Sequence, residues 1–182
     1  MRHIWLLCAA LLISASPAWA AKWKVDPAKS TLNFIAVQSG KEFTGAFKKW
    51  SAEIDYDAAK LEAASIKVTV ETASAITKDD IIDEHITEEG WFHSEMFPTA
   101  TFMSKGFKKL PDGSFETEGA LKIRKIEKKV KLVFQLEVTG NAAHAKGGTA
   151  VTRDEFELGK DTEAKLIGMP VKIQFELSAT AE

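Results

Sequence analysis

The sequence predicts an all-β fold: a single antiparallel barrel of eight strands, with one short helix inserted between strands. Apolar and polar residues alternate with a period of two through most of the chain, as they do in strands with one buried face. Short turns join these segments, without the helical crossovers that a parallel sheet needs. A sheet of this size with one apolar face buries that face most simply by closing into a barrel. A sandwich of two sheets is the alternative.

The first twenty residues have the composition of a signal peptide. Arg2 supplies a positive charge, residues 4–13 form an apolar run, and Ala18-Trp19-Ala20 has the small-x-small pattern of a cleavage site. An uncleaved anchor is the alternative, but the run is shorter than the roughly 20 residues that span a bilayer. We therefore expect export with cleavage after Ala20, and residues 21–182 as one domain.

Composition narrows the classes of partner. Cys8 is the only cysteine and lies in the predicted signal peptide, so the exported domain has no disulfide and no cysteine metal ligand. The chain of 182 residues has a net charge of −2, with both signs interspersed, which argues against nucleic acid as a partner. We expect a single core without covalent cross-links.

Before the helix, the sequence predicts a short first strand over residues 22–26 and three long strands over residues 31–38, 43–56 and 65–71. Asp26-Pro27 ends the first strand, and a polar turn that contains Gly40 follows the second. The third segment is long, and we expect it to bend at Gly45 because glycine inside a strand pattern often marks a bend.

A short amphipathic helix is predicted over residues 78–89. Thr77, with Asp80 three residues on, has the form of an N-cap, and Gly90 stops the pattern. One side of the helix is apolar and the other is acidic. The apolar stripe consists of Ile81, Ile82, His85 and Ile86, and the acidic face consists of Asp79, Asp83, Glu84 and Glu88.

An aromatic segment follows the helix and leads into the remaining strands. It contains Trp91, Phe92 and Phe97, and the following Pro98 suits the first position of a strand. Long strands are then expected over residues 99–104, 114–124, 129–138, 142–154 and 171–177. The segment 129–138 alternates most regularly and places Phe134 and Leu136 on its apolar face.

Residues suited to catalysis or metal binding are few. The exported domain has three histidines, His85, His93 and His144, whose spacing matches no recognised zinc site. No serine lies in a glycine-flanked nucleophile elbow. We therefore predict a protein without metal, cofactor or catalytic activity. The alternative is a secreted hydrolase that pairs acidic helix residues with His93.

A basic segment covers residues 122–131. Its cations are Lys122, Arg124, Lys125, Lys128, Lys129 and Lys131. One interpretation is attraction to an anionic membrane surface, at roughly 1 kcal/mol per cation. The other is a solvated turn whose lysines discourage pairing between the edges of sheets.

The apolar faces of the strands leave two interpretations of the interior. They carry large side chains with few polar residues among them, including Phe34, Phe102, Phe134, Ile173 and Phe175. A barrel of this size either fills itself with side chains or encloses one small ligand. The pattern alone is compatible with both.

Several motifs resemble those of the YceI-like polyisoprenoid-binding periplasmic proteins. They occur in the expected order over the whole exported domain: residues 30–34, 45–47, 73–77, 83–86, 91–92, 97–102 and 119–121, then Arg153, Phe156 and Gly159. Two positions depart from the family pattern, because Lys125 and Glu157 occupy turn positions where the family usually has glycine.

This resemblance implies a lipocalin-like barrel in the periplasm whose apolar cavity holds an isoprenoid or similar long-chain lipid. The implied binding residues are Phe34, Trp91, Phe92, Phe97, Phe102, Phe134, Leu136, Arg153, Ile173 and Phe175. Arg153 either contacts a lipid headgroup or anchors a turn or buried ion pair.

Partners other than the lipid are less defined by the sequence. Residues 38–43 resemble members found near membrane b-type cytochromes, which implies a quinone-related lipid and a cytochrome or the membrane surface as a partner. A homodimer is left open.

Overall fold

The computed structural model describes residues 21–182, which form twelve strand segments and one α-helix. The predicted signal peptide, with its cleavage site and Cys8, lies outside this range. The elements are β1 (Ala21–Val25), β2 (Thr31–Gln38), β3 (Lys41–Phe47), β4 (Trp50–Tyr56), β5 (Ser65–Glu71), β6 (Ala75–Ile76), α1 (Asp80–His85), β7 (Thr99–Lys105), β8 (Lys108–Lys109), β9 (Phe115–Ile123), β10 (Ile126–Thr139), β11 (Ala142–Thr152) and β12 (Pro170–Ala181).

The strands close into an antiparallel barrel with eight strand positions, which we call staves. Three staves consist of two segments each, β1 with β2, β3 with β4, and β5 with β6, and the other five are β7, β9, β10, β11 and β12. Neighbouring staves pair in chain order, and β12 closes the ring by pairing with β2 at Ile173 and Phe34 and with β1 at Trp23 and Ala181. The predicted fold class is therefore confirmed. Closure leaves the main staves without a free edge.

The predicted strand over residues 43–56 is broken, and the bend is not at Gly45. The chain leaves regular pairing at Lys48 and Lys49, whose backbone N–H groups donate to the carbonyl and hydroxyl oxygens of Ser74, both at 3.0 Å. Gly45 lies inside β3, directly opposite Phe34 on β2. A Cβ at Gly45 would lie 2.1 Å from Cζ of Phe34, so this glycine makes room for an aromatic ring.

The helix is shorter than predicted and begins at a different cap. Asp79, not Thr77, is the N-cap residue: its carboxylate accepts hydrogen bonds from the backbone N–H groups of Ile81 and Ile82. The Thr77 backbone N–H and hydroxyl instead donate to the Asp83 carboxylate at 2.6 and 2.7 Å. These bonds hold the segment before α1 in place. The N-cap of the helix is therefore two residues later in the chain than predicted.

The barrel has one end covered by aromatic side chains and one end that carries α1. At the first end, which we call the closed end, the loops 57–64 and 106–114 and the turn at Gly140 connect the strands. At the other end, which we call the mouth, lie the β2–β3 turn, the segment 77–98, the β9–β10 turn and the loop 153–169. No helix in residues 21–182 is long and apolar enough to cross a membrane.

Candidate functional site

A cavity of about 530 Å³ runs along the inside of the barrel. Its wall is made by the inward-facing residues of β1–β5, β7 and β9–β12, together with the apolar stripe of α1. The lining contains no lysine, aspartate or glutamate, and most of it is aliphatic or aromatic. Its strongly polar members are Gln38, His85, Thr101, Thr149, Arg153 and Thr162. Such a surface favours an apolar ligand with little polar functionality.

Glycines opposite phenylalanines help to keep this interior open. Gly147 pairs directly with Phe134, as Gly45 does with Phe34, and a Cβ at Gly147 would lie 2.5 Å from Cβ of Phe134. Without a side chain on Gly45, the wall leaves space that the Phe34 ring occupies. Gly147 instead lets the backbone of β10 approach closely, since a Cβ there would lie 2.2 Å from the Val133 carbonyl oxygen. The Phe34 ring can therefore lie close to the wall instead of crossing the interior.

An aromatic cluster fills the closed end. The ring of Phe134 packs edge-on against Phe107, with centroids 5.2 Å apart, and is stacked with Phe115 at 5.7 Å. Tyr56 stacks on Phe107, and burial raises the pKa of its hydroxyl, which keeps the phenol neutral. Trp23 adds its indole, whose N–H donates to the Tyr56 carbonyl at 3.3 Å. All five side chains are buried, so this end is shut against solvent.

The mouth presents apolar residues that remain in contact with water. Ile81, Ile82 and Ile86 of the α1 stripe line the cavity, and Ile81 is 69% exposed. His85 lies on the same stripe and its Nδ1 is 2.9 Å from a Glu88 carboxylate oxygen, which raises the pKa of the imidazole. An apolar chain in the cavity would cover the isoleucines and remove their surface from water.

Nine of the ten side chains predicted to bind the ligand line this one cavity. They are Phe34, Trp91, Phe92, Phe102, Phe134, Leu136, Arg153, Ile173 and Phe175. Their elements are far apart in the sequence, and barrel closure brings them together. Whether they contact a ligand stays a prediction.

Phe97 is the exception, because it does not line the cavity. Its ring packs against His93, with centroids 5.8 Å apart, and beneath the guanidinium of Arg124 at 5.5 Å. The aromatic segment after α1 is thus divided: Trp91 and Phe92 face the interior, while Phe97 supports the outer side of the loop.

Arg153 is 2% exposed and sits in a cage of backbone carbonyls. Its side chain donates to the carbonyl oxygens of Leu158, Gly159, Thr162, Ile167 and Gly168.

These five bonds match the five N–H groups of a guanidinium. No carboxylate within residues 21–182 forms an ion pair with it, and its charge lies 5.6 Å from the Trp91 ring centre. Burial lowers the pKa of Arg153, though an arginine stays protonated. The geometry is that of an anchor for the loop 153–169.

Sequence reasoning missed several lining residues that the same periodicity could have indicated. Trp50, Ile54 and Tyr56 share one face of β4 and line the cavity, as does Trp23 on β1. The alternation pointed to all four. Phe107 gave no such signal, because it lies in a loop between β7 and β8.

The residues of the hydrolase alternative do not converge. His93 packs on Phe97 and has no carboxylate within ion-pair distance among residues 21–182, whereas His85 and His144 pair with Glu88 and Glu176. Asp79 and Asp83 of the acidic helix face are engaged in capping and in holding Thr77. Within the described range no three histidine or acidic side chains are grouped as metal ligands would be.

The basic segment 122–131 lies in the β9–β10 hairpin, and its lysines are partly paired. Lys129 lies 3.6 Å from Glu118, and Lys131 lies 3.5 Å from Glu116, in each case across to β9. Arg124, with a backbone φ of 55°, donates to the Trp91 and Glu157 carbonyls. Exposed pairs of this kind contribute little to stability, about 0–1 kcal/mol each.

The chain belongs to the YceI-like domain family, whose model matches residues 23–179. A UPF0312 protein of Pseudomonas fluorescens is 30% identical over 179 residues, which cover 91% of this chain and 90% of the relative. A UPF0312 protein of Azotobacter vinelandii is 29% identical over 159 residues, covering 82% of this chain and 83% of the relative.

Solved structures share the fold. BcnA of Burkholderia cenocepacia superposes with a TM-score of 0.82 at 27% identity, covering 86% of this chain and 100% of that one. A polyisoprenoid binding domain from Saccharophagus degradans, implicated in plant cell wall breakdown, gives a TM-score of 0.69 at 15% identity. It covers 90% of this chain and 99% of its own. At that identity the second likeness concerns the fold alone.

Glu157 occupies a turn in a backbone conformation that is unusual for a residue with a side chain. Its φ is 56°, in the left-handed region that glycine adopts most easily. Its carbonyl accepts from Arg124, and the preceding residue, Phe156, is 1% exposed. Packing on both sides holds the turn.

Proposed function

We propose that this protein is a binding or carrier protein for a polyisoprenoid or a similar long-chain lipid, which it holds in the barrel interior without catalysis. The observation that carries the proposal is a continuous apolar cavity, closed at one end and open at the other beside Ile81, Ile82 and Ile86, of which Ile81 is exposed. A long hydrocarbon chain fits that shape because it can enter at the mouth and extend toward the aromatic cluster.

The comparisons support the proposal at the level of class. The family match covers nearly all of residues 21–182, and one structural neighbour is a polyisoprenoid binding domain. We further propose that the protein works in the periplasm after export by residues 1–20. We also propose that the lipid is related to quinones and that the protein contacts the membrane surface or a b-type cytochrome.

The test is to extract the purified protein with organic solvent and analyse the extract by mass spectrometry. We expect a long-chain lipid in amounts that approach one per protein molecule. The comparison is with the variant Ala145→Phe, which adds a large ring to a buried position of the closed end and fills part of the cavity. This variant should carry less lipid than the unmodified protein while remaining folded by circular dichroism. An extract free of lipid from protein made in its native host would contradict the proposal.

A further inference from the structure

We infer that the site selects an isoprenoid with an uncharged polar end over the same chain ending in phosphate. The inference rests on the proposed function and specifies its ligand class. It is carried by the polar groups that the cavity offers and by the charges around its mouth.

Apart from His85, whose charge is paired with the Glu88 carboxylate, the interior offers an anion no free donor from a cation. Among the lining residues only Arg153 carries a permanent positive charge, and each of its N–H groups already has a backbone carbonyl partner. The carbonyl oxygens of that cage point at the guanidinium and offset its positive charge. A phosphate drawn into the cavity would lose its water and find no replacement, which is strongly unfavourable.

A phosphate left at the mouth beside α1 would instead meet carboxylates. Residues 77–89, which include α1, carry six carboxylates and one lysine, and the loop segment 157–166 carries three carboxylates and two lysines. One of those two, Lys165, is paired with Glu163 at 2.7 Å. The β9–β10 turn at the same end adds four cations, Lys122, Arg124, Lys125 and Lys128, and one carboxylate, Glu127. The three segments together carry ten carboxylates and seven cations, so the mouth is bordered by a net charge of −3 that is concentrated beside α1. The repulsion acts within about 10 Å at moderate salt.

Hydrogen-bonding groups that are uncharged, or whose charge is already paired, are available at the same place. Three polar residues line the part of the cavity near the mouth: Gln38 at the end of β2, Thr162 in the loop 153–169, and His85. Nδ1 of His85 is bonded to Glu88, which leaves Nε2 for a ligand. An alcohol or carbonyl at the end of an isoprenoid chain can exchange hydrogen bonds with these groups while the chain stays buried.

The experiment compares geranylgeraniol with geranylgeranyl phosphate, which share one apolar chain. Trp23, Trp50 and Trp91 all line the cavity and are the only tryptophans of residues 21–182, so tryptophan fluorescence of delipidated protein reports occupancy. At low salt we expect the alcohol to bind at least about tenfold more tightly, a difference of about 1.4 kcal/mol. Raising the salt concentration should reduce the difference in affinity between the two probes, since salt screens the negative charge at the mouth.

The double variant Asp80→Asn/Glu84→Gln tests the role of the mouth. Neither side chain lines the cavity, and both are exposed. We expect the variant to bind the phosphate several-fold more tightly and the alcohol as before. Glu137→Gln, at the closed end of β10, removes an exposed carboxylate far from the mouth and is the matched control, with no change for either probe.

The outcomes separate this inference from the proposed function. Equal affinity for the two probes, or tighter binding of the phosphate, would overturn the selectivity while leaving the lipid site in place. An unchanged ratio in the double variant would show that the mouth carboxylates do not contribute, and would overturn that half of the inference. Binding of neither probe would overturn the proposed function and this inference together.

Discussion

Phe134 shows most directly how one residue links the alternation of a strand to the cavity. It is 5% exposed and contacts Phe107, Phe115 and Phe175, while the next residue, Gln135, points to water. The alternation in the sequence predicted both orientations. The alternation could not predict which rings contact Phe134, because these rings come from three other parts of the chain.

The variant Phe134→Glu should be much less stable than Gln135→Glu. The first change places an unpaired carboxylate among aromatic rings, which costs several kcal/mol, and it also removes packing worth about 3 to 5 kcal/mol. The second change affects a solvated position. Urea denaturation monitored by circular dichroism measures both, and matching midpoints would mean that the assigned faces of β10 are wrong.

Arg153 is the residue whose role the sequence left open. The pattern could not show whether its donors point to a ligand or to the chain, since both uses need a buried arginine. The structure assigns all five donors to carbonyls of its own loop.

We expect Arg153→Met to lower the stability of the protein, because each buried carbonyl that loses its donor costs about 1 to 3 kcal/mol. Arg124→Met is the matched control: Arg124 makes two longer bonds to carbonyls, so the loss should be smaller. Melting temperatures and lipid affinities of both variants are the measurements. Full stability of Arg153→Met with weakened lipid binding would return Arg153 to a headgroup role.

At the scale of elements, the strands were easier to predict than their interruptions. Period-two alternation depends on burial of one face, which is a local signal repeated several times in each strand. The break at Lys48 and Lys49 depends on hydrogen bonds to Ser74, twenty-five residues away. The start of α1 likewise depends on a competition for Thr77 between the helix and Asp83.

The pairing of Gly45 on β3 with Phe34 on β2 gives a test of how the wall controls the interior. A methyl group at Gly45 would contact the Phe34 ring at 2.1 Å and push it toward the cavity. We expect Gly45→Ala to weaken lipid binding and the double variant Gly45→Ala/Phe34→Leu to recover much of it, measured by tryptophan fluorescence.

Gly90→Ala is the control for that test, because a Cβ at Gly90 would have no heavy atom within 4 Å. It should bind lipid as the unmodified protein does. Unchanged affinity in Gly45→Ala would mean that the Phe34 ring moves along the wall instead of into the cavity.

At the scale of the whole molecule, the sequence predicted a closed barrel but not whether it is hollow. Alternation gives the polarity of each face, whereas the diameter of the interior depends on which side chains meet across it. Pairs such as Gly147 with Phe134 are set by strand register, which no single strand encodes. The resemblance to a family of lipid-binding proteins, rather than any local pattern, indicated the cavity.

An empty cavity of this kind is energetically unfavourable. At roughly 24 cal/mol per Å³, a dry volume of about 530 Å³ corresponds to an upper limit on the order of 10 kcal/mol, similar to the whole stability of a domain. Water in its place would find few hydrogen-bonding partners on the apolar wall. A lipid that fills the space binds the folded state selectively and stabilises it.

The central claim is that a bound long-chain lipid is part of the native structure, and thermal melting tests it most directly. Protein as isolated, protein extracted with organic solvent, and extracted protein supplied with a long isoprenoid alcohol are melted under identical conditions. At a free lipid concentration 100 times the dissociation constant, restored occupancy should raise the melting temperature by roughly 5 to 10 °C. Extraction should lower the melting temperature and the added alcohol should restore it. Three superimposable melting curves would contradict the claim and indicate an interior that needs no ligand.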